Sequence, residues 1–138
     1  MYLQGASGRE IRKDRKARVK EFQEMESKAV AKYVGSSPRK MRLVVDLIRG
    51  KSVGQALSIL HFSPKHAAKD AEKAVRSAVA NIMNREDVGK VDEESLFVKE
   101  IFVDGGPMAK RVLPAPQGRA YRIRKRSNHI TVVVATKE

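Results

Sequence analysis

A chain of 138 residues with 41% apolar residues has material for one domain and one modest core, not for several. Its 29 Lys+Arg against 16 Asp+Glu leave a formal charge of +13 and a pI near 10.3, a self-repelling surplus that points to a polyanionic partner. Zero Cys excludes disulfides and thiolate metal sites, and no apolar run reaches the ~18 residues a spanning helix needs.

In chain order, residues 1–26 alternate bases and acids with few apolar positions. They read as an N-terminal extension of mixed but mainly basic charge, helical or disordered until bound, with a solvated tail as the bland alternative. No apolar h-region marks them as a secretory signal, and their acids disfavour a transit peptide. "KAVAKYVG" (28–35) is a short strand candidate, with Val30 and Val34 on one side.

"SSPRKMRLVVDLIRGK" carries helix start and stop signals. Ser37 suits the N-cap, Pro38 the first helical position, and Gly50 the left-handed C-terminal position. Met41, Val44, Val45 and Ile48 follow helical spacing, with Leu43 and Leu47 widening the stripe. A second helix fits 53–62, burying Ala56, Leu57, Ile59 and Leu60. Ser63-Pro64 repeats the start signal for a long third helix reaching about Asn84, with an alanine-rich stripe of Ala67, Ala71, Ala74, Val75, Ala78, Val79 and Ile82. That stripe reads as core rather than as a cofactor box.

Residues 86–104 then hold seven acids against Lys90 and Lys99, while Gly105 to Lys137 hold eight bases and no acid. One end of the molecule is expected to face solvent, the other a field of negative charge. "SLFVKEIFVDGG" (95–106) is a strand rich in β-branched and aromatic residues, and the last strand runs from about Arg119 to Ala135.

Period two divides that last strand. Arg122, Arg124, Arg126, Asn128, Ile130, Val132 and Val134 share a face that is cationic in its first half and apolar in its second. The expectation is that 130–135 lie in the body's sheet while 119–129 project from it. Phe97 to Val103 would lie in the body and Met108 to Leu113 outside. A tight turn at Gln117-Gly118 would set Val103 opposite Val132 and Ile101 opposite Val134; Pro114 and Pro116 equally permit a longer, stiffer tip. Val112, Tyr121 and Ile123 are assigned to the face opposite the arginines, where they suit bases or ribose. Such an arm is on the order of 40 Å long, and a lone two-stranded ribbon is marginal in water, so an external partner must hold it. Arg and Lys name phosphate as that partner's chemistry.

Several segments in series carry a family likeness: "SPRKMRLVVDLIRGK" (37–51), "QALSIL" (55–60), "AEKAVRSAVAN" (71–81), "IFVDGGP" (101–107) and "PAPQGRAYRIRKRSNHITVVV" (114–134). Over residues 27–138 the chain resembles the bacterial form of the large-subunit ribosomal protein twenty-two family. The resemblance implies an α+β fold, three helices packed on a small three-stranded antiparallel sheet, with a long protruding β-hairpin at about 105–129. It implies large-subunit ribosomal RNA as partner, together with neighbouring large-subunit ribosomal proteins and the nascent polypeptide at the exit tunnel. On this sequence the RNA-binding candidates are Arg39, Lys40, Arg42, Lys110, Arg111, Arg119, Arg122, Arg124, Lys125, Arg126, Asn128 and His129. The tunnel-facing tip would be Leu113, Pro114, Ala115, Pro116, Gln117, Gly118 and Arg119. A role in subunit assembly and a cytoplasmic, ribosomal location follow.

Catalysis, a metal and a cofactor are not expected. His61, His66 and His129 are scattered, no Cys or carboxylate set completes a ligand sphere, and Asp92-Glu93-Glu94 reads as a solvated loop. A DNA-clasping β-ribbon protein is the main rival, but those are usually dimers with a strong dimer helix, and self-association is not expected here. An RNA-modifying enzyme lacks an acid/base pair. A membrane-surface protein would place its cations on a helix with large apolar residues, not on a ribbon.

Overall fold

Residues 26–84 and 93–136 are described by the computed structural model. Residues 1–25 of the expected N-terminal extension and most of the acidic loop lie outside these residues, while Glu26, given to the extension from sequence, begins the first strand. Element order is β1 (Glu26–Val34), α1 (Pro38–Val45), α2 (Val53–His61), α3 (His66–Met83), β2 (Leu96–Pro114) and β3 (Ala120–Thr136). The three strands form one antiparallel sheet in the order β1-β3-β2, with the helices packed against it. The α+β expectation holds.

Pro38 begins α1, as its fixed φ predicts, but Ser37 makes no side-chain cap. Its carbonyl instead accepts the Met41 N–H at 3.0 Å. The α-helix proper ends at Val45. Residues 46–51 tighten into turns in which Leu47 and Ile48 donate to Val44 and Val45. Gly50 takes the predicted left-handed conformation, φ +73. Its N–H donates to the Val98 carbonyl (3.0 Å) and the Val98 N–H donates to the Lys51 carbonyl (2.9 Å), so the turn after the helix is also a stitch to β2.

Met41, Val44, Val45 and Ile48 are buried, but Leu43 and Leu47 are 57% and 48% exposed. The buried stripe of α1 is therefore narrower than its sequence suggests. Ser63-Pro64 lies two residues ahead of the observed start of α3, where Lys65 is the cap position. All seven predicted stripe residues of α3 are buried, and Ala68 joins them. These alanines let the helix approach β1 closely, whose buried residues are Ser27 and Ala29. Val30, expected on the same side as Val34, is 44% exposed. A register irregularity between Ala31 and Val34, with Tyr33 at φ +58, then returns Val34 to the core side.

β1 pairs with β3 only from Glu26↔Ala135 to Val34↔Asn128. β2 and β3 pair much farther, to Pro114↔Ala120, so beyond Asn128 the sheet continues as a two-stranded ribbon. In the body, Val103 faces Ile130 and Ile101 faces Val132, two residues off the predicted register. Half of the shift comes from the tip, where residues 115–119 form a five-residue loop centred on Gln117 rather than a two-residue turn. The other half is the irregularity between Gly105 and Met108, which places one extra residue on β2. A slip of two keeps every side chain on its face, so Ile101, Val103, Ile130, Val132 and Val134 still meet in the core.

Candidate nucleic-acid interface

The ribbon's base is fixed by close fit and by one amide. A Cβ on Gly106 would sit 2.5 Å from Ser127 Oγ and 3.1 Å from its carbonyl carbon, so only glycine lets β2 pass this close to β3. Ser127 Oγ donates to the Pro107 carbonyl at 2.6 Å. Asn128 is fully buried; its Nδ2 donates to the Ser36 carbonyl (2.7 Å) and Oγ (2.8 Å). That corrects its assignment to RNA contact, because an amide with no exposed surface offers nothing to an external partner. His129 is half-buried, and its Nδ1 accepts the Tyr33 N–H at 3.0 Å, which leaves Nε2 to carry the ring hydrogen.

Outward of this base the pairing sorts the side chains. Lys110↔Arg124, Val112↔Arg122 and Met108↔Arg126 share one face; Ala109↔Lys125, Arg111↔Ile123 and Leu113↔Tyr121 share the other. Val112 therefore stands among the arginines, not opposite them, and Leu113 takes the place expected for it beside Tyr121. The five-residue tip causes this: it shifts the outer pairing by one residue and so exchanges the faces of β2 relative to β3, before the bulge at Gly105–Met108 shifts the body by one more. Val112, Leu113 and Tyr121 are all more than half exposed, and Ile123 is half-buried. Lys110, Arg111, Arg119, Arg122, Arg124, Lys125 and Arg126 are exposed, and among the described residues no carboxylate pairs with any of them.

At the tip, Ala115 N–H donates to the Arg119 carbonyl at 2.8 Å, and Pro116–Gly118 make a tight turn between them. Gln117 (φ 63) and Gly118 (φ 69) are both left-handed. Pro114 and Pro116 stiffen the entry, and Leu113 lies at the outer end of the pairing. The longer of the two tip alternatives is the one observed.

On the body, Arg39 and Lys40 are exposed in the first turn of α1. Arg42 has a different duty: its Nε (3.2 Å) and Nη2 (3.0 Å) both donate to the Val103 carbonyl. Arg49 Nη2 donates in the same way to Ile101 at 3.0 Å. Two guanidinium groups thus close the free edge of β2 just below the ribbon. Lys65 and His66, which in the sequence read only as part of a helix start, flank a cleft with Lys40 and Arg124 to Arg126. Their signal was present in Ser63-Pro64, which places the next residues at a helix N-terminus.

Among the described residues there is no cluster of three or more His, Asp or Glu suited to a metal, and no helix long and apolar enough to cross a membrane. The sequence pattern of the family described as Ribosomal protein L22p/L17e matches residues 29–135. The chain belongs to this family. Every candidate residue from Arg39 to His129 falls inside the L22p/L17e match. Among relatives, the Large ribosomal subunit protein uL22 of Chlorobium phaeobacteroides is 54% identical over 112 residues, 81% of this chain and 96% of its own length. That of Flavobacterium johnsoniae is 59% identical over 99 residues, 72% of each chain. The Christiangramia forsetii protein is 50% identical over 123 residues, 89% of this chain and 91% of its own, so family likeness extends beyond the body into the N-terminal extension.

Proposed function

We propose that this chain binds large-subunit ribosomal RNA through its ribbon and the adjoining basic face of the body, aids subunit assembly, and lines the nascent-chain exit tunnel with residues 113–119. Membership of the family makes it a structural, non-enzymatic constituent of the large ribosomal subunit, cytoplasmic as ribosomes are in bacteria. The finer reading rests on one observation: the ribbon exposes cations on both faces and has no carboxylate of the described body to neutralise them. Unbalanced Arg and Lys on a projecting two-stranded arm suit phosphate oxygens converging from more than one side. Leu113 and Tyr121 suit a base or ribose between them.

The division into an extension over 1–26 and one domain over 27–138, with its hairpin at about 105–129, belongs to the same proposal. Neighbouring large-subunit proteins and the nascent polypeptide are the partners proposed for the tip. Replacing Arg122, Arg124 and Arg126 with Ala tests the RNA-binding part. The body should fold as before while incorporation into large subunits falls several-fold; unchanged incorporation would contradict the reading. Deleting 113–119 tests the tip: apart from the contact of Arg119 it should spare RNA binding while altering nascent-chain behaviour, and unchanged nascent-chain behaviour would contradict the reading.

A further inference from the structure

The described helices cover one face of the sheet, and the strand residues that alternate with the buried ones point away from them. On that outer face Val30, Thr131 and Phe102 form a row across all three strands, with Val30 44% and Phe102 42% exposed. Phe97 and Val133, both half-buried, extend the apolar ground onto neighbouring rows. Glu100 and Asp104 stand exposed along its β2 side, and among the described residues no Lys or Arg pairs with either. At one corner Glu26 of β1 pairs with Lys99 of β2 across the intervening β3. The chain before Glu26 enters at that corner, so residues 1–25 are tethered beside the face.

That segment has the matching chemistry. At helical spacing Ile11, Val19, Phe22 and Met25 fall on one arc, and Ala17 is the only other apolar residue from Arg9 to Met25. Arg15 and Arg18 share the arc, while Lys13, Lys16 and Lys20 lie on the opposite side. An apolar stripe broken by two arginines thus complements an apolar face edged by two exposed carboxylates. The lengths agree as well. A helix over 9–22 is about 21 Å long, and β1 spans about 20 Å from Glu26 to Lys32. We infer that residues 9–22 form a helix folded back from Glu26 over the outer face of the sheet, with residues 23–25 as the connection. Ile11, Val19 and Phe22 seat on the Val30–Thr131–Phe102 row and its neighbours, and Arg15 and Arg18 reach Glu100 and Asp104. The sheet then has helices on both faces, and the extension is a cover for the body rather than a free basic tail. The inference does not rest on the RNA-binding reading, since neither the apolar row nor the two carboxylates belong to the ribbon.

The chain has no Cys, so Lys16→Cys gives a single site for a nitroxide label away from the apolar arc. The experiment reads the broadening of backbone amide signals in the full-length labelled chain. Amides of Phe102, Thr131 and Val133 should lose most of their intensity, while those of Ala56 and Leu60 in α2, beyond the other face, keep theirs. Adding Val19→Asp/Phe22→Asp to the labelled chain should abolish the localised loss, and unshifted amides elsewhere in the body report that it stays folded. Broadening that is absent, spread evenly or centred on the helices overturns the inference, as does a localised loss that survives the double variant. A mixture of nitroxide-labelled chain without isotope and isotope-labelled chain without nitroxide tests for a second copy. Localised broadening in that mixture also overturns the inference, because the occupant of the face is then another molecule.

Discussion

At the scale of single residues, the positions that organise the interface are not its cations. Gly106 and Asn128 carry no charge, yet they set where the ribbon begins. Adding a methyl at Gly106 forces Ser127 Oγ to rotate and leaves distances of 3.1 and 3.3 Å to the backbone of β3. Gly106→Ala should therefore destabilise the chain by about 1–2 kcal/mol in urea denaturation. The same substitution in a Ser127→Ala background should be milder, since the closest atom is gone. Asn128→Asp removes the donor to the Ser36 carbonyl and puts a carboxylate in its place, fully buried. It should destabilise by about 3 kcal/mol or more at neutral pH, with part regained in acid where that carboxyl is protonated. A calorimetric scan at two pH values checks both the size and the sign. None of this was legible in sequence, where Asn128 reads as one more polar residue on a cationic face; only its distant partner Ser36 turns it inward.

Elements were more readable than residues. Helix initiation at Pro38, the left-handed turn at Gly50, the alanine stripe of α3, and the change from cationic to apolar along β3 follow from local rules, and the structure has all four, although α1 itself ends at Val45, ahead of Gly50. The register did not follow, because it depends on a five-residue tip and a bulge that period-two reasoning cannot locate. The face of Val112 failed for the same reason. Leu43 and Leu47 misled because spacing alone cannot say how wide a stripe its neighbours will cover. The edge of β2 was invisible as well: Arg42 reads in sequence only as an RNA-binding candidate and Arg49 carries no signal, yet they donate to the Val103 and Ile101 carbonyls. An edge strand with free carbonyls is a template for pairing with another chain. Arg42→Ala/Arg49→Ala should thus lower stability by about 2 kcal/mol and promote self-association at tens of micromolar, which sedimentation velocity would detect. A monodisperse monomer of undiminished stability would show that these hydrogen bonds matter little.

At the scale of the whole molecule, the chain divides into a part that folds on its own packing and a part that has none. Three helices cover a three-stranded sheet, and every residue of the large core cluster lies in the body. Beyond the Gly105↔Asn128 pair, the ribbon has backbone pairing but exposed side chains on both faces. Its cations have no neutralising carboxylate among the described residues. The proposed function gives such a protein a stable foot and an arm for RNA to hold. Amide hydrogen exchange across 106–127, measured in the free chain and again in assembled large subunits, addresses this most directly. The account predicts exchange within seconds for the free ribbon, slow exchange for the sheet at 96–104 and 128–135, and strong protection of the ribbon in the subunit. A ribbon as protected in the free chain as in the subunit would contradict it.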